Sequence, residues 1–167
     1  WRVSRRIASA TVCRAIPLYE QWDLLKNNHK AVLLGLTAGV VTSLVTVLVL
    51  SLLLGLSHEE YVTMLPKSIT TAIGMGVSEE LGGYVTITVA VIIVTGVLGN
   101  MFGELICKVF KIEEPISKGL AFGSAAHAIG TAKAMEIGEI EGAMSSLAIA
   151  VSGILTVILS SVFAHFL

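Results

Sequence analysis

Lys67, Ser68, Thr70 and Thr71 stand together in LPKSITT, residues 65–71. Pro66 suits the first turn of a helix, where its missing N–H costs nothing. The three hydroxyls can satisfy the free N–H groups there. A helix start carries partial positive charge and suits an anion, and Lys67 adds a full one. This is the chemistry of a carboxylate- or phosphate-type anion site at a half-helix N-terminus. The same residues also describe an interfacial helix start with a snorkelling lysine. A second group lies in GLAFGSAAHAIGTAKAMEIGEIEG, residues 119–142. On a helix His127 and Thr131 stack at i, i+4, and Ser124 shares that side. Lys133 lies about 240° around from His127, so it joins them only if the helix breaks, with Gly130 the expected break. Histidine is the side chain suited to changing charge near neutral pH, and the small neighbours of His127 leave room beside it. The bland alternative is a packed, hydrogen-bonded histidine. Glu136, Glu139 and Glu141 read as a helix end and polar loop.

Glu79 and Glu80 in SEELGG, residues 78–83, cannot share one helix face. One is expected to face a cavity and the other water, unless the pair simply ends a helix. No nucleophile elbow or zinc motif occurs. Cys13 and Cys107 belong to no CxxC or Cys/His cluster. No catalytic residue, cofactor or metal is therefore expected, and the chain does not read as an enzyme.

The elements that carry these groups follow from composition. Of 167 residues, 54% are hydrophobic and only 14% charged, against about 25% charged in soluble domains. That shortage points to a membrane protein whose partner is the lipid bilayer. Formal net charge is −1, and the only basic cluster is Arg2, Arg5, Arg6 and Arg14. No basic face interleaves with aromatics, so nucleic acid is not an expected partner. Residues 31–57, 81–103 and 142–164 are uncharged and long enough to span. The intervening segments, 62–80 and 115–141, are too polar for lipid-facing spans and too rich in Gly and Ala for loops. Such segments fit interrupted or re-entrant helices, tolerated only where protein or a water-filled cavity covers the backbone.

A weak internal repeat supports this. AIGMGVSEELGG at 72–83 parallels AIGTAKAMEIGEIEG at 128–142, and TGVL at 95–98 parallels SGIL at 152–155. Matched interrupted helices are the sequence pointer to a transporter-type core. If each polar segment crosses, the repeats are parallel; if each is re-entrant, they are inverted. Lys26 and Lys30 precede the first span, and Lys108, Lys111 and Lys118 follow the second. The positive-inside rule puts both clusters on one side, which two spans and a re-entrant 62–80 satisfy. GxxxG spacings at Gly35/Gly39, Gly99/Gly103 and Gly119/Gly123 read as packing seams. The expected fold is an all-α, polytopic membrane helical bundle with two interrupted or re-entrant elements in a weak repeat. Residues 1–30 read as an N-terminal segment with a pre-span helix, and 31–167 as the membrane domain.

AIPLYEQWDLLKNN, LPKSITTAIGMGVSEELGG and KGLAFGSAAHAIGTAKAMEIGEIEGAMSSLAI resemble the LrgB/CidB family of bacterial membrane proteins. The likeness runs from about Ala10 to the C-terminus, and plastid glycolate/glycerate translocators contain a similar domain. Family members have further hydrophobic helices before AIPLY, where this chain reads WRVSRRIAS, so a truncated or altered start is expected. The resemblance implies an antiholin-like or holin-like modulator of murein hydrolase activity and autolysis in the bacterial plasma membrane, multi-pass. It also implies a small LrgA/CidA-like partner, a homo-oligomer, and transport of small carboxylates such as pyruvate or glycolate. The residues favour transport as the molecular activity; a pore regulator acting through assembly is the alternative.

Overall fold

The computed structural model describes residues 22–167, with side chains from Lys26 onward. The arginine cluster and Cys13 lie outside the described residues. The order is α1 (Trp22–Leu54), α2 (His58–Met64), α3 (Thr71–Glu80), α4 (Val85–Val109), α5 (Pro115–Ile137) and α6 (Glu139–Phe163), then a 3-10 turn, Ala164–Phe166. The described residues form an all-helical membrane bundle. Three helices are long and apolar enough to cross a membrane: Lys26–Leu54, Val85–Val109 and Glu139–Phe166. They are helical because in hydrocarbon every backbone N–H and C=O must be satisfied within the segment. Residues 22–30 and the first apolar run form one continuous helix.

Local chemistry sets the helix ends. Gly55 takes φ +65° just past α1, a left-handed conformation that glycine adopts without penalty. Ser57 then opens α2 with a capping box. Its hydroxyl accepts from the Glu60 N–H (3.3 Å), and the Glu60 carboxylate accepts from the Ser57 N–H (2.8 Å). Those hydrogen bonds hold the Glu60 carboxyl below the usual carboxylate range. Glu114 caps α5 by accepting from the Ser117 N–H (2.6 Å), ahead of Pro115 in the first turn.

The interrupted elements are both hairpins. In the first, the chain enters along α2, turns at residues 65–70 and returns along α3. Its two outer ends meet at the start of α4. The Tyr84 hydroxyl donates to Glu59 (2.5 Å), the Tyr84 N–H donates to the Thr63 hydroxyl (2.8 Å), and the Thr88 hydroxyl donates to Ser78 Oγ (2.7 Å). At its tip, Ser68 Oγ lies 3.2 Å from Ser43 Oγ. Ser43 is about 16 Å along the axis from the end of α1, roughly half the depth of a 30 Å hydrocarbon core.

The second hairpin is α5. Its helical hydrogen bonding conceals a break at His127 (φ 41°, ψ −135°). The first arm runs antiparallel to α4. A Cβ at Gly103 would meet Phe122, one at Gly99 would meet Ala126, and one at Gly96 would meet the His127 ring. Beyond the bend the chain reverses. Asn100 Nδ2 donates to the Ile129 carbonyl (3.0 Å), Lys133 lies 3.8 Å from Glu104, and Ile137 packs on the cluster of Cys107 and Phe122. The break is thus three residues earlier than the expected Gly130. What Gly130 provides instead is clearance. A Cβ there would stand 2.7 Å from the Phe122 carbonyl oxygen, so its absence lets the two arms close.

Because α4 runs the length of the bundle between them, the hairpins insert from opposite ends. Each half of the repeat is therefore one hairpin followed by one long helix, and the halves are inverted. Lys26, Lys30, Lys108, Lys111, Lys118 and Lys133 all fall at one end. Glu59, Glu60, Glu79 and Glu80 fall at the other, with no Lys or Arg among the described residues there.

Candidate functional site

Lys67 sits at the tip of the first hairpin, inside the bundle. Its ammonium donates to Ser43 Oγ (3.0 Å) and Ser68 Oγ (3.1 Å). No carboxylate lies within ion-pair distance of it among the described residues. Pro66 lies in the turn, not in the helix that follows. That helix, α3, starts at Thr71 with Thr70 as its N-cap, and the Thr70 side chain makes no capping bond. The positive group at the tip is therefore the lysine itself, supported by hydroxyls from two elements.

Lys67 and Ser68 line a cavity of about 820 Å³, within the usual range of ligand sites. α1 and α4 form its walls and the first arm of α5 its floor. It extends from Asn28 on α1 and Glu114 at the start of α5 down to Lys67 and Thr46. That is about 27 Å along α1 at 1.5 Å per residue, starting at the lysine-rich end. Hydroxyls of Thr42, Thr95 and Ser124 add polar lining. Toward the opposite end the space is filled by Leu44, Val47, Tyr61, Val62 and Leu65. There the Tyr61 hydroxyl donates to the Phe163 carbonyl (2.9 Å). The cavity is a partly open channel, mostly apolar in its lining, with hydroxyls along it and a cation at its inner end.

Proton counting shows what Lys67 can hold. An ammonium has three protons, and two go to Ser43 and Ser68. One of the two serine protons is used between those hydroxyls. One ammonium proton and one hydroxyl proton remain, two donors on adjacent groups. A planar two-oxygen anion matches that set.

The other expected site residues fall elsewhere. His127 is buried behind the cavity, and its Nε2 lies 2.9 Å from the Ile92 carbonyl. A carbonyl only accepts, so Nε2 carries the proton. Thr131 donates to the His127 carbonyl (2.9 Å), which leaves Ser145 to donate to Thr131 (2.7 Å). These bonds fasten the bend between α4 and α6. Lys133 pairs with Glu136 (3.2 Å) and Glu104 (3.8 Å) at the lysine-rich end. Glu79 and Glu80 are exposed at the opposite end, on the last turn of α3. Thr71 begins α3 outside the cavity lining. The structure thus brings together Lys67, Ser68 and Ser124, and separates the rest.

Sequence reasoning missed Thr42, Ser43 and Thr46. They had a signal. Gly35, Gly39, Thr42 or Ser43, and Thr46 recur at three- to four-residue spacing, a small and hydroxylic stripe on an otherwise Leu/Val-rich helix.

The bend at His127 makes a specific prediction. In an ordinary helix glycine is about 1 kcal/mol worse than alanine. At φ 41° the order should invert, because only glycine adopts that backbone without strain of about 1–3 kcal/mol. Both His127→Ala and His127→Gly lose the buried hydrogen bond and the ring. Thermal unfolding in detergent should therefore rank wild type above His127→Gly, and His127→Gly above His127→Ala. Alanine melting above glycine would contradict the bend.

The chain matches the LrgB-like family over residues 3–166. It is 39% identical over 165 residues to the antiholin-like protein LrgB of Bacillus mycoides (strain KBAB4), a match covering 99% of this chain and 72% of that relative. The antiholin-like protein LrgB of Bacillus cereus (strain B4264) is 38% identical over the same shares. No solved structure matches.

Proposed function

Since the chain belongs to the LrgB-like family, we propose that it is an antiholin-like protein of the bacterial plasma membrane that carries small monocarboxylates, of the pyruvate or glycolate class, along the Lys67 channel. Its influence on murein hydrolase activity and autolysis would follow from that flux. The observation that carries this reading is an ammonium at mid-bundle, facing a cavity and held by hydroxyls rather than by a carboxylate. Ionisable groups at that depth are costly and mark solute pathways. Inverted hairpins meeting near the middle are the arrangement of secondary transporters, whose sites lie where broken helices converge.

The positive-inside rule orients the lysine-rich end to the cytoplasm, so the cavity represents a cytoplasm-facing state. The apolar plug around Tyr61 and Leu65 is the closed outer gate. Alternating access would open that plug as the inner mouth narrows between α1 and the first arm of α5. His127 fastens the bend that forms the cavity floor, and proton coupling through it is a separate property to measure. A small LrgA/CidA-like protein and a second copy of this chain are the expected assembly partners.

Uptake of labelled pyruvate and glycolate into proteoliposomes tests the reading. Saturable uptake, with competition between the two acids and exclusion of larger dyes, is expected. Graded leakage of dyes of increasing size, without saturation, would instead establish the pore-regulator alternative.

A further inference from the structure

At the lysine-rich end, beside the mouth of the Lys67 channel, the turn between α4 and α5 encloses a second cavity of about 220 Å³. Lys108, Lys111 and Lys118 stand on its rim, with Glu104 and Glu113. These charges do not cancel in pairs. Glu104 is already held by two ammonium groups, Lys108 at 2.9 Å and Lys133 at 3.8 Å. Neither Lys111 nor Lys118 forms an ion pair among the described residues. Lys111 is placed there by the turn itself. It takes φ 55°, while the Ile112 N–H donates to the Cys107 carbonyl (2.8 Å) and closes the end of α4.

The floor beneath these cations is apolar. Cys107, Ile112 and Phe122 line it, and the same three residues line an adjoining cavity of about 130 Å³. That second space continues along α4 past Gly103 to Gly99, toward the middle of the bundle, and is walled by Ala121, Ala125 and Ala126. A soluble anion would use only the rim. A molecule with an anionic head and a hydrocarbon chain would use both parts.

We propose that this is a binding site for an anionic phospholipid. The phosphate sits between Lys111 and Lys118, and one acyl chain lies in the groove beside Gly99 and Gly103. The rim lies at the bundle end that the lysine distribution assigns to the cytoplasmic leaflet, where anionic lipids attract basic residues near the surface. Lys108 contributes field, but its geometry belongs to Glu104.

Native mass spectrometry of the full chain in detergent, with equal phosphatidylglycerol and phosphatidylcholine, tests this. Each lysine near a lipid surface is expected to contribute about a fivefold preference, so roughly 25-fold for both. Wild type should retain phosphatidylglycerol by about that ratio. Lys111→Gln/Lys118→Gln should lose the preference, and Lys111→Arg/Lys118→Arg should keep it. Equal retention of the two lipids by wild type, or a preference unchanged in the glutamine variant, overturns the proposal. So does displacement of phosphatidylglycerol by millimolar inorganic phosphate, which would assign the rim to a soluble anion. If the double variant does not fold, Lys118→Gln alone is read, with an expected fivefold loss.

Discussion

Replacing Lys67 by alanine should sharply weaken saturable carboxylate uptake while leaving the fold intact. A hydrogen bond to a charged group contributes about 1.5–3 kcal/mol, which corresponds to roughly a 10- to 100-fold weaker apparent affinity for the anion. Stability should not fall with it. The ammonium lies in the bundle interior with hydroxyls as its partners and no carboxylate among the described residues. Removing a desolvated charge of that kind is neutral or stabilising. Loss of uptake with an unchanged or higher unfolding midpoint is therefore the expected pair of results. Ser43→Ala and Ser68→Ala should each weaken uptake only a few-fold, because each removes one neutral hydroxyl contact of about 1 kcal/mol. Wild-type affinity for pyruvate in Lys67→Ala proteoliposomes would remove the lysine from the solute path.

The second large effect is expected at Gly123. A Cβ there would collide with the Ser145 carbonyl oxygen and stand 2.7 Å from Ala148 Cβ. The first of these is backbone and cannot swing aside. α5 and α6 form the most extensive helix pair in the bundle, so Gly123→Val must push them apart. Overpacking a close-packed interior costs about 1–3 kcal/mol, and a backbone collision puts this site at the upper end or above. Loss of monodisperse protein in detergent is the expected readout. Gly39 has the same GxxxG spacing and the opposite expectation. A Cβ there would lie 3.7 Å from the Ser124 hydroxyl, an ordinary van der Waals contact, and beside the channel. Gly39→Val should melt near wild type yet reduce uptake, because its side chain enters the channel. A Gly39→Val protein as unstable as Gly123→Val would contradict the looser contact at Gly39.

These glycines illustrate what spacing cannot say. Gly35/Gly39, Gly99/Gly103 and Gly119/Gly123 look alike in the sequence, and all three read as seams. Gly99 and Gly103 receive Ala126 and Phe122, and Gly119 and Gly123 receive α6. Gly35 and Gly39 instead line the channel, where a Cβ would make only ordinary van der Waals contact with Leu120 (4.0 Å) or the Ser124 hydroxyl (3.7 Å). The difference lies in which helix stands opposite, and that is settled by the reversal of α5. The position of the break has a related cause. Glycine is the residue that local propensity nominates for a bend, which points to Gly130. The bend falls at His127 because its ring hydrogen-bonds Ile92 on α4, beside Gly96, which leaves space for it. That contact spans 35 residues and is invisible to local reasoning.

Composition and pattern alone establish the solvent, the spans and the two polar interruptions. Charge shortage and uncharged runs of about 20 residues admit only internally hydrogen-bonded helices in a bilayer. The residues also single out Lys67, because a lysine beside Pro and three hydroxyls has few solvated explanations between apolar runs. Folding in three dimensions supplies the rest. It makes both interruptions hairpins, inverts the repeat, and sends Lys67, Ser68 and Ser124 to one cavity. It also withdraws His127 to a hydrogen bond on Ile92, Lys133 to an ion pair on Glu104, and Glu79 and Glu80 to the surface. A hairpin and a crossing share the same composition and periodicity. Only the contacts of the hairpins with α4 and its start, made across 21 to 35 residues, distinguish them.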